Sequence, residues 1–277
     1  EICDNFFCLE KNNGFIITSE KDGFNHIYRY DMDGKQVTQV TKGSWDVTGL
    51  VGVNEGNGLM YYMSTEVSPL NINLYSVHLD GTRKTRITKK EGTYKVDFCK
   101  TFAYYVCSWS EINTPPVVTI NRNDGEQVRV IQDNAGLSNV LKQYNFGKVS
   151  FFSFNTLDNT ELNGWMLKPP DFDPVRKYPV LFYVYGGPGS QTVLNRWGSS
   201  SSWNQLLAQH GIIVVSVDNR GTGNRGEAFK KCTYLQLGKI ETIDQMEAAK
   251  YLASLPYIDK DRFGIWGWSY GGFITLT

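Results

Sequence analysis

The chain of 277 residues carries 28 Lys+Arg against 28 Asp+Glu, a formal net charge of zero, with 41% hydrophobic and 14% aromatic residues. At ~100–200 residues per domain this is one large domain or two ordinary ones. Zero net charge, with no basic or acidic tail, excludes the electrostatic footprint of a general nucleic-acid or membrane-surface binder, and 16 Tyr with 15 Phe exclude a disordered chain. No apolar run approaches the ~18 residues of a membrane span; the longest, Val180–Tyr185 and Ile212–Val217, have the length of buried strands. The opening Glu-Ile-Cys-Asp has no signal-peptide pattern and no Met, so the start is expected to lie inside a longer product. Cys3, Cys8, Cys99, Cys107 and Cys232 are odd in number and irregularly spaced, which fits neither a disulfide framework nor a zinc site and leaves the compartment open. The absence of a glycosylation sequon leans against a glycosylated secretory protein.

A repeat comes first along the chain. Ile27 to Gly34, followed by Val40-Thr41-Lys42, returns 47 residues later as Leu74 to Gly81 followed by Ile87-Thr88-Lys89. A fainter copy places Asp124-Gly125 a further 44 residues on. Each copy predicts a β-hairpin, with the Asp-Gly pair supplying the positive φ of a tight turn. Upstream of the hairpins lie the strand-like runs Phe15–Ser19, Leu59–Met63 and Ala103–Val106. About four strands per ~45 residues is the spacing of propeller blades, although WD and kelch signatures are missing and a sandwich of β-meanders also spaces its turns regularly. Fewer than four blades fit before residue 140, so this segment cannot close a ring of 4–8 blades by itself.

Beyond residue 140 the texture changes. Strands are predicted at Lys148–Phe154, Asn163–Lys168, Val180–Tyr185, Ile212–Asp218 and Arg262–Trp268. Helices are predicted at Trp203–Gln209 and at Glu241–Leu255, where Ile243, Met246, Ala249, Leu252 and Ala253 recur at helical spacing before Pro256. Strands alternating with helices imply a mostly parallel sheet in an α/β domain.

Gly267-Trp268-Ser269-Tyr270-Gly271 directly follows the apolar strand Phe263–Trp266, the context that a G-x-S-x-G nucleophile elbow requires. Small residues on both sides relieve crowding at a strained strand-to-helix turn, expose the hydroxyl, and aim the Tyr270 N–H at a developing oxyanion. A glycine-rich turn with a solvent-facing serine is the plain alternative. Tyr185-Gly186-Gly187-Pro188-Gly189-Ser190, at the end of a buried strand, is only a turn when taken alone; paired with an elbow it offers a second oxyanion donor in the Tyr185 hydroxyl. Gly221-Thr222-Gly223-Asn224-Arg225-Gly226 matches G-x-G-x-x-G, with Glu241 and Asp244 near the spacing of a ribose-binding acid. Three polar residues separate it from its strand and no apolar helix opens at its last Gly, so the dinucleotide reading fails. His26, His78 and His210 all precede Ser269, against the Ser, acid, His order of α/β-hydrolases, so the acid and base are expected beyond Thr277. No His, Cys and carboxylate grouping suggests a metal, and no cofactor is expected.

Blade-like repeats followed by Tyr185-Gly-Gly-Pro-Gly-Ser, Asp218-Asn-Arg-Gly-Thr-Gly, Asp244-Gln-Met-Glu-Ala-Ala and Gly267-Trp-Ser-Tyr-Gly-Gly resemble the prolyl oligopeptidase family of serine peptidases. Trp266-Gly-Trp-Ser-Tyr-Gly-Gly and Thr41-Lys-Gly-Ser-Trp-Asp-Val are most similar to its dipeptidyl peptidase IV subfamily, and the similarity extends over essentially the whole chain. The resemblance implies a mixed fold: the C-terminal blades of a β-propeller over residues 1–140, then the first half of an α/β-hydrolase peptidase domain over residues 141–277, cut after the elbow. It implies a serine-type dipeptidyl peptidase releasing X-Pro or X-Ala dipeptides from peptides with a free N-terminus. By carry-over Ser269 is the nucleophile, the Tyr185 hydroxyl and Tyr270 N–H form the oxyanion hole, and Trp268 with Tyr270 lies by the proline pocket. The paired Glu that bind the substrate ammonium have no counterpart in this segment, which is expected to be inactive alone. Asn219 departs from the Gly of many relatives, and Phe273 from a common Tyr. A periplasmic or secreted location is favoured, and homodimerisation is compatible with it. A related endopeptidase or esterase, or a non-catalytic binding relative, is the alternative.

Overall fold

The computed structural model describes residues 5–11 and 13–277; the cysteine at position 3 lies outside them. The chain divides into two compact units, one running through Asn134 with Asn224–Ala228 added, the other comprising Ala135–Gly223 and Phe229–Thr277.

The first unit consists of three four-stranded antiparallel sheets, each made of strands consecutive in the chain. They are β1 (Phe6–Leu9), β2 (Gly14–Ser19), β3 (His26–Asp31) and β4 (Gln36–Gln39); β5 (Val47–Asn54), β6 (Leu59–Ser64), β7 (Asn73–His78) and β8 (Thr85–Arg86); and β9 (Thr93–Phe98), β10 (Tyr104–Glu111), β11 (Thr114–Arg122) and β12 (Gln127–Gln132). Strand β6 explains the packing. Its side chains alternate between faces: Met60 and Tyr62 enter a core with Ile16 and Ile27 of the first sheet and Val40 just after it, whereas Tyr61 and Met63 enter a core with Tyr94, Tyr105 and Cys107 of the third. Both faces are covered, so the strand reads as an unbroken apolar run rather than as an alternation. Tyr61 stands 4.3 Å from Phe98 between ring centroids, and Tyr62 stacks on Tyr75 at 5.5 Å.

The sequence repeat is also a repeat of hydrogen bonds. Thr41 Oγ1 accepts the Ile27 N–H at 2.9 Å and meets His26 Nδ1 at 3.1 Å. Forty-seven positions on, Thr88 Oγ1 accepts the Leu74 N–H at 2.9 Å and the Asn73 amide at 3.2 Å. His26 and Asn73 then reach onward in the same way, to the Gly43 and Lys90 carbonyls. All three hairpin turns share one geometry, and the Asp-Gly pairs take the expected positive φ, though not at both residues. Only the glycine does, at 79° for Gly34, 83° for Gly81 and 98° for Gly125. Each glycine N–H returns three residues back, to Asp31 at 3.1 Å, His78 at 2.8 Å and Arg122 at 2.9 Å. That is the three-residue loop ending in a left-handed residue. Asp80 and Asp124 accept the N–H two residues on, which closes the turn from outside.

The second unit contains α1 (Ala135–Leu141), β13 (Val149–Asn155), β14 (Glu161–Leu167), β15 (Tyr178–Val184), α2 (Ser202–Gln209), β16 (Ile213–Asp218), α3 (Glu227–Lys231, shared with the first unit), α4 (Lys239–Ala253), β17 (Ile258–Gly267) and α5 (Tyr270–Leu276). Its five-stranded sheet has the order β13-β14-β16-β15-β17. β13, β14 and β16 pair antiparallel, while β15 pairs parallel with β16 and β17. Parallel neighbours need crossovers, which α2 and α4 supply. Phe182, Ile213, Val215 and Val217 form the core with Ala248 and Leu252 of α4.

Helix α4 begins two residues earlier and ends two residues earlier than its pattern predicts, and it shows a different face to the core. Of the apolar stripe, Leu252 is buried, but Ile243 and Met246 are 46% and 58% exposed. The buried row is Glu241, Asp244, Gln245, Ala248 and Leu252. Helical period identifies two candidate faces but not the inner one, and each polar member of the inner row has a specific partner described below.

Candidate active site

The strand order determines where the loops converge. From β15 the chain crosses to β16 on one side and then to β17 on the other, which makes β15 a switch point, the place where open α/β sheets bind ligands beyond their strand ends. The β15/β17 ladder ends at the pair Val184–Gly267. Tyr185 and Trp268-Ser269 therefore leave the sheet at the same edge.

Ser269 caps α5 with φ 54° and ψ −116°. That is a conformation glycine takes without penalty and L-residues adopt under strain. Glycine is needed on either side of it. A Cβ at Gly267 would overlap the Val184 carbonyl oxygen and Gly271, and one at Gly271 would overlap the same Val184 oxygen. The two glycines let the turn close directly on the end of β15. Gly271 N–H donates to Trp268 O at 2.9 Å and Phe273 N–H to Ser269 O at 3.1 Å, while the Ser269 side chain caps nothing. Trp268 is 79% exposed.

The loop after β15 is tied down by buried polar groups. Both Asp218 oxygens accept backbone N–H groups, from Thr192 and Val193, each at 2.9 Å. Gly189 N–H donates to Gly221 O and Gly223 N–H to Ser190 O, both at 2.8 Å. Asn219, fully buried, donates to the Gly186 carbonyl at 3.1 Å. Gly186 has φ 67°, and a Cβ there would overlap the Asn219 amide, so the departure from Gly at 219 is accommodated by the glycine opposite. The Tyr185 ring lies 6.4 Å from that of Tyr270, and its hydroxyl has no hydrogen-bond partner among the described residues.

The polar row of α4 reaches three parts of this edge. Glu241, fully buried, accepts the Tyr270 hydroxyl at 2.7 Å. Burial, and then the Glu241 carboxylate, push the Tyr270 phenol far above its usual range. Asp244 takes Arg220 in a forked ion pair, with Nη2–Oδ1 at 2.6 Å and Nε–Oδ2 at 3.0 Å, and accepts the Arg220 backbone N–H at 2.8 Å. Arg220 also reaches Asp158 at 2.6 Å. The Asp244 bonds foremost hold its guanidinium above its usual pKa, and the Thr156 hydroxyl with Arg220 holds the Asp158 carboxyl well below the carboxylate range. Gln245 donates to Val217 O and Asn219 Oδ1, each at 3.0 Å.

These bonds dispose of the G-x-G-x-x-G pattern in a way the sequence does not foresee. A one-turn helix, α3, does open after Gly226, but Glu241 and Asp244 are committed to Tyr270 and Arg220. Gly221 and Gly223 are required by packing, against Thr233 and the Gly189 carbonyl. Glu241, Asn219 and Gln245 are the members of the site edge that sequence reasoning missed as such. Spacing of i, i+3 and i+4 for Glu241, Asp244 and Gln245 was the available signal. His26 is buried against Thr41 and His210 caps α2.

Residues 1–116 match the model of the dipeptidyl peptidase IV N-terminal region, and residues 198–277 match that of the prolyl oligopeptidase family. Dipeptidyl peptidase 4 of Trichophyton equinum is 36% identical over 266 residues, covering 94% of this chain and 34% of that protein. The crystal structure of Porphyromonas gingivalis dipeptidyl peptidase 4 superposes with a TM-score of 0.90 at 46% identity, over 95% of this chain and 37% of that one. The chain thus spans about a third of the length of these relatives. With matches at both ends to one family's two regions, the chain belongs to the prolyl oligopeptidase family, on its dipeptidyl peptidase IV branch.

Proposed function

We propose that the full-length protein is a serine exopeptidase that releases X-Pro or X-Ala dipeptides from free peptide N-termini. The observation that carries this reading is the conformation of Ser269, held at φ 54° between two glycines that abut β15. Strain of this kind persists where the surrounding structure enforces it and a function uses it. The activity of the relatives supports the substrate class, since both are named dipeptidyl peptidase 4.

In this reading Ser269 Oγ attacks the carbonyl of the second residue, giving up its proton to a base that returns it to the leaving amine. Water then hydrolyses the acyl-enzyme. The Tyr185 hydroxyl and the Tyr270 N–H stabilise the oxyanion, and Trp268 and Tyr270 border the pocket for proline. The base and its acid follow Ser269 in chain order, in sequence beyond Thr277. The three four-stranded sheets are blades of the propeller, assigned to residues 1–140, and residues 141–277 begin the hydrolase domain.

In the full-length protein, Ser269→Ala should abolish hydrolysis of Gly-Pro p-nitroanilide, and retained turnover would sink the assignment. Tyr185→Phe should lose ~2.7–4 kcal/mol of transition-state stabilisation, the worth of one oxyanion donor. Cleavage of an N-acetylated substrate as fast as the free-amine form would redirect the reading to an endopeptidase.

A further inference from the structure

We propose that Glu241 is a positioning residue: by accepting the Tyr270 hydroxyl it fixes that ring beside Ser269 and sets how strongly the site favours proline over alanine. The inference rests on the reading of Ser269 and Tyr270 given above. The elbow locks the Tyr270 backbone, but the ring still has two torsions of freedom. Its ring neighbours are Phe273, edge-on at 5.4 Å, and Tyr185 at 6.4 Å. Neither supplies direction; the hydroxyl does, through its bond to Glu241, with the Gly238 backbone as a second polar contact.

Glu241 is an expensive choice for a filler. It is fully buried, and its Oε2 has no hydrogen-bond partner among the described residues. A buried carboxyl with a free oxygen is unfavourable unless the remaining contact is worth keeping. The acceptor is itself held still. Gly238, at the start of α4, lies so close under the Phe273 ring that a Cβ would stand 2.8 Å from it. Thr242 meets Thr277 at 3.0 Å, and the next turn of α4 grips Arg220 and Asn219. Since Asn219 in turn holds the Gly186 carbonyl, one helix references both the tyrosine after the nucleophile and the loop that bears Tyr185.

The test uses the full-length protein as wild type, Tyr270→Phe, Glu241→Leu, Glu241→Gln and the Glu241→Leu/Tyr270→Phe double variant. The substrates are Gly-Pro and Gly-Ala p-nitroanilides, with a small fluorophosphonate to label Ser269. Tyr270→Phe and Glu241→Leu should each lower kcat/KM for Gly-Pro by ~10-fold, mainly through KM, with Gly-Ala affected less and the double variant no worse than either. Glu241→Gln retains an acceptor and should recover most of the Pro/Ala ratio, which a merely structural role would not predict. If Glu241→Leu alone fails to fold, the double variant, which removes both members of the Tyr270–Glu241 bond, is compared with Tyr270→Phe, and equal Pro/Ala ratios support the proposal. Additive losses, or a Pro/Ala ratio unchanged in Tyr270→Phe, overturn it. Failure of the wild type to label with fluorophosphonate overturns the elbow reading instead.

Discussion

The elbow geometry makes a prediction about stability that is independent of turnover. Ser269 sits at φ 54°, ψ −116°, and its hydroxyl makes no capping bond. Replacing it with alanine leaves the backbone strain in place and removes no structural hydrogen bond. Replacing it with glycine relieves the strain, worth ~1–3 kcal/mol for a residue held outside its ordinary wells. Against this stands the larger conformational entropy that glycine has in the unfolded chain, which costs about 0.4–1 kcal/mol relative to alanine. The difference leaves Ser269→Gly more stable than Ser269→Ala by about 0.5–2 kcal/mol. Both variants lack the Ser269 hydroxyl, so any reaction it carries out drops out of the comparison. Unfolding midpoints of the two full-length variants, taken at one heating rate and checked in urea, read the difference. An alanine variant as stable as the glycine variant would refute the claim that the serine is held in a strained conformation.

Three further outcomes are expected. Gly271→Ala must part the turn from the Val184 carbonyl, and under the proposed function a displacement near 1 Å at Ser269 should cost ~10²-fold in kcat/KM even if the protein folds; near-normal turnover would contradict that reading. The Thr101 hydroxyl brings the exposed Cys99 thiol down to about 7, whereas burial pushes Cys107 up to about 12. Iodoacetamide should therefore modify Cys99 with a rate that rises through neutral pH and leave Cys107 intact, as peptide mass spectra would show; equal labelling would refute it. Thr88→Val removes the acceptor shared by Leu74 N–H and Asn73, and should destabilise the protein by ~1–3 kcal/mol in urea unfolding; no shift would show that the repeated bond pattern is dispensable.

Much of the fold was legible because local chemistry repeats. The Asp-Gly hairpins at Gly34, Gly81 and Gly125 marked the three sheets, and the unbroken run Leu59–Met63 marked a strand covered on both faces. What the residues did not reveal was the kind of turn. A lone glycine with φ near 79–98° suffices, since the residue before it stays in an ordinary conformation. Strand order was also not legible. The antiparallel pairing of β14 with β16 joins residues about fifty apart, such as Asn163 and Asp218, and no local period records it.

The elbow could be read because strand, glycine, serine and glycine are required within five residues, while its support could not, because it is carried by a helix whose sequence advertises the wrong face. Ile243 and Met246 satisfy the helical period and are exposed; Glu241, Asp244 and Gln245 satisfy the same period and are buried. Hydrophobicity chooses the inner face only where burial is the sole gain. Here each inner polar group meets a partner that the sheet edge supplies: the Tyr270 hydroxyl, the Arg220 guanidinium and the Asn219 amide. An apolar stripe in their place would pack as well but take from each of the three groups its bond to α4, at roughly 1–3 kcal/mol each and more for the charge. The polar face of α4 is therefore dictated by the loops it holds rather than by the core it covers, and its identity can be inferred only once the strand order has brought those loops to one edge.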